Sequence, residues 1–256
     1  MHLLRLSVAS AILLVAFGCG GGSTPTAHGT IASGNWTLLL LSNATPPLPL
    51  ALGGSLMQQG NNISGILHVP DSPCFDPLLD DVVVNGTVDG QTLTLSSVSV
   101  RGQTITMSAI LPIADSVSLL KGSYTSAGST CIGASGTVAA FLVPPLTGTF
   151  SGQVTGSFTS TVTANLTQTG PDAHGFFHLS GNFSFSGSPC FSSGTVTSSS
   201  LSGRLANFAI NTNDGGQIAV VGLNLMIGLT NNLGVVLIVQ SGTCAGFAGN
   251  GTLVKQ

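Results

Sequence analysis

At 256 residues the chain is long enough for one large or two small domains, yet only 5% of its residues are charged. It has no Glu and a net charge of −3, so a nucleic-acid partner is not expected. Water-exposed helix faces normally carry Glu, Lys and Arg, whereas alternating Thr, Val, Ser and Gly favour strands. We therefore expect an all-β protein.

Residues 1–18 have the organisation of a signal peptide. A short n-region ending at Arg5 precedes an apolar run, Leu6 to Phe17, which is too short to span a bilayer comfortably. The run leads into Gly18-Cys19, which resembles the lipobox of bacterial lipoproteins. The alternative is an ordinary signal peptide that is cut nearby, with Cys19 lost or free.

The lipobox resemblance implies that Cys19 carries acyl chains such as palmitate and becomes the first residue of the mature protein. Membrane lipid is then a partner, and the protein is expected at the bacterial cell envelope. By resemblance to lipoprotein sorting rules, the absence of Asp just after Cys19 favours the outer membrane over the inner membrane. Residues 20–33 are rich in Gly, Ser and Thr and are predicted to form a flexible tether.

A four-residue stretch occurs twice and indicates one unit repeated in tandem. Ser72-Pro73-Cys74-Phe75 and Ser188-Pro189-Cys190-Phe191 are followed, at nearly equal separations, by Cys131 and Cys244. With Cys19 assigned to lipid, the other four of the five cysteines pair within the repeats. We predict disulfides Cys74–Cys131 and Cys190–Cys244, and each such loop closure stabilises the fold by about 4 kcal/mol.

The pattern of strands and turns places the boundaries of the two units. We predict β domain 1 over 34–142, a Pro-rich linker over 143–147 and β domain 2 over 148–256, with Phe150 in the place of Trp36. Each unit contains about eight strand-like segments with Gly and Asn turn signals, which is typical of an antiparallel sandwich or a closed barrel.

Several positions are predicted to face the core because apolar residues alternate with polar ones. One expectation concerns a strand near 92–100, in which the apolar parity changes between Ser96 and Ser97 and a bulge or a bend would restore a single face. The other predicted core positions are Ile105, Met107 and Ala109 in the first unit and Phe177, Leu179, Phe183 and Phe185 in the second.

Gly34-Asn35-Trp36 near the start of an eight-stranded unit, with Cys74 joined to Cys131, resembles the lipocalin barrel. This resemblance implies a closed barrel that carries a small apolar ligand. The chain departs from the lipocalin pattern because it has no Thr-Asp-x-x-x-Tyr motif and no predicted C-terminal helix.

Two groups of side chains have residue types that bind metals. Asp71, Asp76, Asp80 and Asp81 surround Cys74 and would suit Ca²⁺ if they converged, but their spacing matches no EF-hand loop, and a solvated loop is the preferred interpretation. His174 and His178 share one face of a predicted strand, about 13 Å apart, which is too far for one metal unless the strand begins late, at Gly175. We predict no metal and no cofactor.

Three functional hypotheses follow from these observations. The first is a structural or adhesive module of the cell envelope, without catalytic activity. The second is a carrier of a small apolar ligand, and the third is a hydrolase that would use Asp76 and His178. Neither a Gly-x-Ser-x-Gly motif nor a nucleotide-binding Gly-rich loop is present, so we do not expect an enzyme and assign no catalytic residue.

Overall fold

The computed structural model describes residues 30–69, 75–76, 80–112, 118–128, 133–227 and 230–256. These residues form two closed antiparallel barrels in tandem, each built from eight strands. The all-β prediction is confirmed, and the described part of the chain contains no α-helix. Of the two architectures that the sequence left open, the structure has the barrel.

Barrel 1 is a simple meander in which each strand pairs with the next. It is closed by pairing of the first strand with the last, with Trp36 opposite Leu142 and Ser42 opposite Gly136. Its strands are β1 (Gly34–Ser42), β2 (Pro49–Gln59), β3 (Asn62–His68), β4 (Val82–Asp89), β5 (Thr92–Ser97), β6 (Thr104–Ile110), β7 (Leu119–Ala127) and β8 (Ser135–Leu142).

Barrel 2 repeats this order. It is closed between its first and last strands, where Gly249 lies opposite Gly156 and Lys255 lies opposite Phe150. Its strands are β9 (Gly148–Gly156), β10 (Ser160–Thr169), β11 (His178–Ser186), β12 (Ser193–Ser202), β13 (Leu205–Thr212), β14 (Gln217–Ile227), β15 (Thr230–Ser241) and β16 (Ala248–Lys255).

Side chains at alternate strand positions fill each barrel, as the pleat of a strand requires. Trp36 and Phe150, each the third residue of the first strand of its barrel, are fully buried. The core predictions are confirmed, since the following residues are all buried: Ile105, Met107, Ala109, Phe177, Leu179, Phe183 and Phe185.

The strand predicted near 92–100 is present but shorter, and no bulge interrupts its pairing with β4. β5 ends at Ser97, just where the apolar parity changes, and Val98 is 53% exposed. The parity change therefore marks the end of a strand.

The segment predicted as a tether is already part of barrel 1 at Ile31. This residue is buried, and its backbone N–H donates to Gln58 Oε1 at 2.8 Å.

The disulfide Cys190–Cys244 is present, with the two Cα atoms 6.0 Å apart. It joins the loop between β11 and β12 to the loop between β15 and β16, which confirms the prediction for the second unit. The predicted pair Cys74–Cys131 and the lipidation site Cys19 lie outside the described residues.

Candidate functional site

The two barrels contact each other where β1 and β2 of barrel 1 meet the turn between β12 and β13 of barrel 2. The Asn35 side-chain amide donates to the Gly203 carbonyl oxygen and accepts from the Gly203 backbone N–H, and both hydrogen bonds are 2.8 Å long. The Ser202 hydroxyl donates to the Gly53 carbonyl oxygen at 2.7 Å. Asn35 is only 3% exposed, so these bonds are shielded from water.

Glycines at this contact allow the two backbones to approach. A Cβ on Gly53 would lie 2.6 Å from the backbone carbonyl of Ser202, closer than packed atoms allow. Gly203 is in the left-handed conformation at φ +57°, and a Cβ there would meet the Thr37 hydroxyl and the backbone of Gly53. Any side chain at either position would therefore separate the barrels locally.

A second contact joins the end of β3 to the loop between β10 and β11. The His68 ring stacks on the Phe176 ring with 3.7 Å between centroids and 9° between planes. His68 Nε2 donates to the carbonyl oxygen of His174 at 2.8 Å. His68 is 4% exposed, although it lies on the outward side of its strand, because barrel 2 covers it.

Asp81 lies between two histidines at this contact. One carboxylate oxygen is 3.4 Å from His68 Nδ1 and the other is 3.2 Å from His174 Nδ1. Burial lowers the pKa of His68 below its ordinary value of 6.5, against the raising effects of the His174 carbonyl and of the Asp81 carboxylate. The carbonyl oxygen of His174 can only accept a hydrogen bond, so Nε2 of His68 carries a proton in this contact.

Asp172 organises the loop that reaches barrel 1. Its Oδ1 accepts from the backbone N–H groups of His174 and Phe176, and its Oδ2 is 2.9 Å from His178 Nε2. Burial raises the pKa of Asp172, but the hydrogen bonds from His178, His174 and Phe176 outweigh that effect and lower it. The structure thus places His174 and His178 on different carboxylates, with β11 beginning only at His178.

The acids around Cys74 are also divided between separate contacts. The Arg101 guanidinium binds Asp80 Oδ2 at 2.5 Å through Nε and Asp76 Oδ2 at 3.7 Å through Nη2, while Asp81 turns to the histidines. Asp71 lies outside the described residues. Among the residues described, no group of three His, Cys, Asp or Glu side chains is arranged to bind a metal ion.

One further carboxylate has a structural partner in barrel 2. Hydrogen bonds from the Thr212 hydroxyl and the Thr243 backbone N–H lower the pKa of Asp214 to about 2. These bonds connect the turn between β13 and β14 to the loop that carries Cys244. Asp76 and His178, the residues of the hydrolase hypothesis, bind Arg101 and Asp172 respectively and do not share a contact.

The interiors of the barrels leave little space. The cavity within barrel 1, lined by residues such as Leu38, Leu56 and Met107, has a volume of about 20 Å³. The cavity within barrel 2, lined by residues such as Phe158 and Phe185, is also about 20 Å³. Each could hold about one water molecule, whereas pockets for small organic ligands are usually several hundred Å³.

Larger spaces lie on the outer surface of barrel 2. A groove of about 480 Å³ over β13 to β16 is lined by Leu205, Val221, Leu223, Val236, Asn250 and Thr252, among others. A groove of about 550 Å³ over β11 to β13 is lined largely by polar residues such as Asn182, Thr195 and Asn211. Barrel 2 therefore presents an apolar groove and a polar groove to its surroundings.

Sequence reasoning missed the contact between the barrels. Burial is continuous over Asn35–Leu38 and over Leu52–Leu56, where strand alternation alone would leave every second residue exposed. The outward residues in these runs include Asn, Thr, Gly and Ser, which are common throughout the chain. Their burial is explained by contact with the second barrel, as in the pairing of Asn35 with Gly203, which is 168 residues away.

The chain matches no protein-family model, and comparison with curated proteins and with solved structures also finds no similar chain. The described residues include no helical segment with the length and hydropathy of a membrane span.

Proposed function

We propose that the chain is an exported, lipid-anchored protein of the bacterial cell envelope that acts without catalysis as a structural or adhesive module. In this proposal its two barrels present their outer surfaces to a partner. The anchor is acylated Cys19 in the lipobox-like sequence, and the outer membrane is favoured over the inner membrane.

The proposed mode of action rests on one observation: the spaces inside the barrels are small, and the larger spaces lie on the outer surface. The barrel interiors hold about 20 Å³ each, and the outer grooves of barrel 2 hold about 480 and 550 Å³. An adhesion partner is larger than the interior cavities, so it would bind to the outer surface. Side chains are exposed there, and the core stays closed. Interfaces of this kind draw their affinity from surface apolar groups and hydrogen bonds.

The contact between the barrels, here called the junction, is formed by β1, β2 and the end of β3 with the turn between β12 and β13 and the loop between β10 and β11. The described charged groups at the junction and next to it support a structural role. Asp81 binds His68 and His174, Asp172 binds His178 and the backbone of its own loop, and Arg101 binds Asp80. Each of these contacts fixes a loop or joins the barrels.

A carrier of a small apolar ligand is the second candidate, and one feature of barrel 2 favours it. Phe158, Phe185, Phe191 and Phe247 cluster at the disulfide-bonded end of the barrel, next to its small cavity. Phe247 is 37% exposed, so rotation of aromatic rings there would enlarge the cavity towards solvent. The closed eight-stranded barrel is compatible with this candidate.

Intact mass measurement of the membrane-extracted protein tests both candidates. We expect the mass of residues 19–256 plus acyl groups, less the hydrogens lost in two disulfides, and an unacylated mass would contradict the anchor. A native mass above the denatured mass would favour the carrier.

Cys19→Ala should release the protein from the membrane fraction. If deletion of the gene leaves envelope integrity and adhesion unchanged, the structural or adhesive role is wrong.

A further inference from the structure

Barrel 2 has an apolar and a polar outer side, and β1 of barrel 1 adds two exposed leucines to the apolar side, whereas Ile110 on β6, 66% exposed and paired with Thr92, is an exposed apolar residue outside it. The apolar side, here called the apolar strip, consists of Leu39 and Leu41 on β1, Val221 and Leu223 on β14, and Val236 and Ile238 on β15. These six side chains are each 42–49% exposed. On the opposite sides, the exposed outward residues of β5 are Thr92, Thr94 and Ser96, and those of β11 include Asn182, Ser184 and Ser186.

The strip is continuous across the two barrels. Val221 lies directly opposite Val236 in the pairing of β14 with β15, and Leu223 lies opposite Leu205 on β13. A groove of about 220 Å³ between the barrels is lined mainly by apolar residues, with Leu39 and Ala51 on one side and Leu205 and Leu223 on the other, and Arg204 also lines it. A contiguous apolar surface of this extent normally marks a contact with another apolar surface.

We propose that the apolar strip lies against the lipid bilayer, so that the protein is held by its acylated Cys19 and by one face of both barrels. The inference rests on the lipid anchor of the proposed function. It adds an orientation: the strip and the apolar groove that it lines face the lipid, while the Ser, Thr and Asn sides, with the polar groove of barrel 2, face away from it and remain available to the partner of the proposed function.

The position of the anchor argues for lipid as the occupant. The chain between Cys19 and Ile31 spans at most about 40 Å when fully extended. Ile31 is fixed to barrel 1 by its bond to Gln58, and the next strand, β1, carries Leu39 and Leu41. The strip therefore remains close to any bilayer that holds Cys19, and this high effective concentration favours even a weak surface contact.

The shape of a closed barrel argues against a second copy as the occupant. Each closed barrel curves away on either side of the strip, so two strips facing each other would bury little area outside the grooves. A stable protein interface needs about 800 Å² from each partner. Lipid headgroups and acyl chains can conform to a convex apolar surface and allow apolar side chains to insert about 5–10 Å.

Fluorescence quenching by brominated lipid tests this orientation. The chain has one Trp, and Trp36 is fully buried, so it supplies a constant background. We would make Leu39→Trp and Val236→Trp on the strip, and the matched controls Thr94→Trp and Ser184→Trp on the opposite sides. The full acylated chains would be reconstituted in phosphatidylcholine vesicles with and without bromine on the acyl chains.

Bromination of the lipid should reduce the emission of the added Trp about twofold at both strip positions. The reason is that an indole ring at the boundary between headgroups and acyl chains contacts the brominated chains. It should leave the controls near the Trp36 background. The two strip positions lie in different barrels, and circular dichroism of each variant would show that it is folded. One folded strip variant is sufficient for the test.

Three results would overturn the inference. Equal quenching at all four positions, or none, would show that the acylated protein has no preferred face while leaving the anchor intact. A blue-shifted Val236→Trp emission that is insensitive to bromine and rises with protein density would show that a second copy covers the strip. A mass without acyl groups would overturn the proposed anchor and the inference together.

Discussion

Asn35 and Gly203, which are 168 residues apart in the chain, exchange two hydrogen bonds of 2.8 Å between the barrels. The Asn35 side chain takes the place of a backbone partner for the turn between β12 and β13, which would otherwise bury an unpaired N–H and an unpaired carbonyl. Leaving buried polar groups without partners costs more than the bonds themselves contribute, and this asymmetry makes the pair a sensitive point of the junction.

Asn35→Ala should lower the free energy of unfolding by about 1–3 kcal/mol, because it leaves the Gly203 N–H and carbonyl unpaired. Urea unfolding followed by Trp36 fluorescence, which reports on barrel 1, and by circular dichroism, which reports on both barrels, measures the loss. Asn43→Ala is the control, since Asn43 is exposed and its side chain forms a 3.4 Å bond to the Ser135 hydroxyl. Equal effects of the two changes would contradict the role assigned to Asn35.

Gly175→Ala should destabilise the junction more than Gly215→Ala does. The two glycines have nearly the same left-handed backbone, φ +81° and φ +83°, so the conformational cost of Ala is matched. A Cβ on Gly175 would lie 2.8 Å from the Ile66 carbonyl oxygen in barrel 1, whereas a Cβ on Gly215 meets nothing within 4 Å. We expect the clash to add about 1–3 kcal/mol.

The comparison of Gly175→Ala with Gly215→Ala can be made by urea unfolding, with small-angle scattering as a second measurement. If the extra cost comes from the junction, the Gly175→Ala protein should also show a larger radius of gyration. Identical unfolding curves for the two variants would show that the loop adjusts without disturbing barrel 1.

The stability of the protein should decrease as the pH falls from about 7.5 to 5. Burial lowers the pKa of His68 below its ordinary value of 6.5, so the unfolded chain binds a proton that the folded chain resists. Stability is then full above pH 6.5 and is lost as the pH falls through that value towards the lower pKa of the folded state. The nearby Asp81, Asp172 and His174 surround the same ring and affect the size of the loss.

His68→Phe provides the matched test of this pH dependence, because it can retain the stacking on Phe176 but cannot titrate. The free energy of unfolding of this variant should change less between pH 7.5 and 5 than that of the original chain. A His68→Phe protein with an undiminished pH dependence would assign the effect to other groups.

Cys190→Ser combined with Cys244→Ser should reduce the stability of barrel 2 by about 4 kcal/mol, the value expected for a closed loop of this length. During unfolding, the circular dichroism signal should therefore change at a lower denaturant concentration than Trp36 fluorescence, because Trp36 lies in barrel 1. Simultaneous loss of both signals would show that the barrels unfold as one cooperative unit.

Much of the fold could be predicted from local patterns. The repeated Ser-Pro-Cys-Phe stretch indicates two units, and alternation identifies core residues such as Ile105 and Phe183, because the period of a strand is fixed by its pleat. Closure could not be predicted in the same way. A sandwich and a barrel share the same local alternation, and they differ in whether distant strands such as β1 and β8 pair.

The junction between the barrels lay beyond sequence reasoning for a related reason. Burial of Asn35 and His68 depends on a second surface more than a hundred residues away in the chain. Neither residue type favours burial, so a single strand gives no sign of the contact. His174 and His178 were predicted on one strand, but the left-handed Gly175 breaks the extended backbone between them.

Because each barrel is closed by pairing of its first and last strands, it stays open during synthesis until its last strand has been made. Barrel 1 cannot close until β8 has emerged, so β1 keeps an open edge throughout synthesis of the residues between them. Charged side chains that discourage pairing with other chains are scarce here, and open edges recruit foreign strands. Nascent chains that stop before Ser135 should therefore aggregate, whereas those extending beyond Leu142 should be protected, before any of barrel 2 exists.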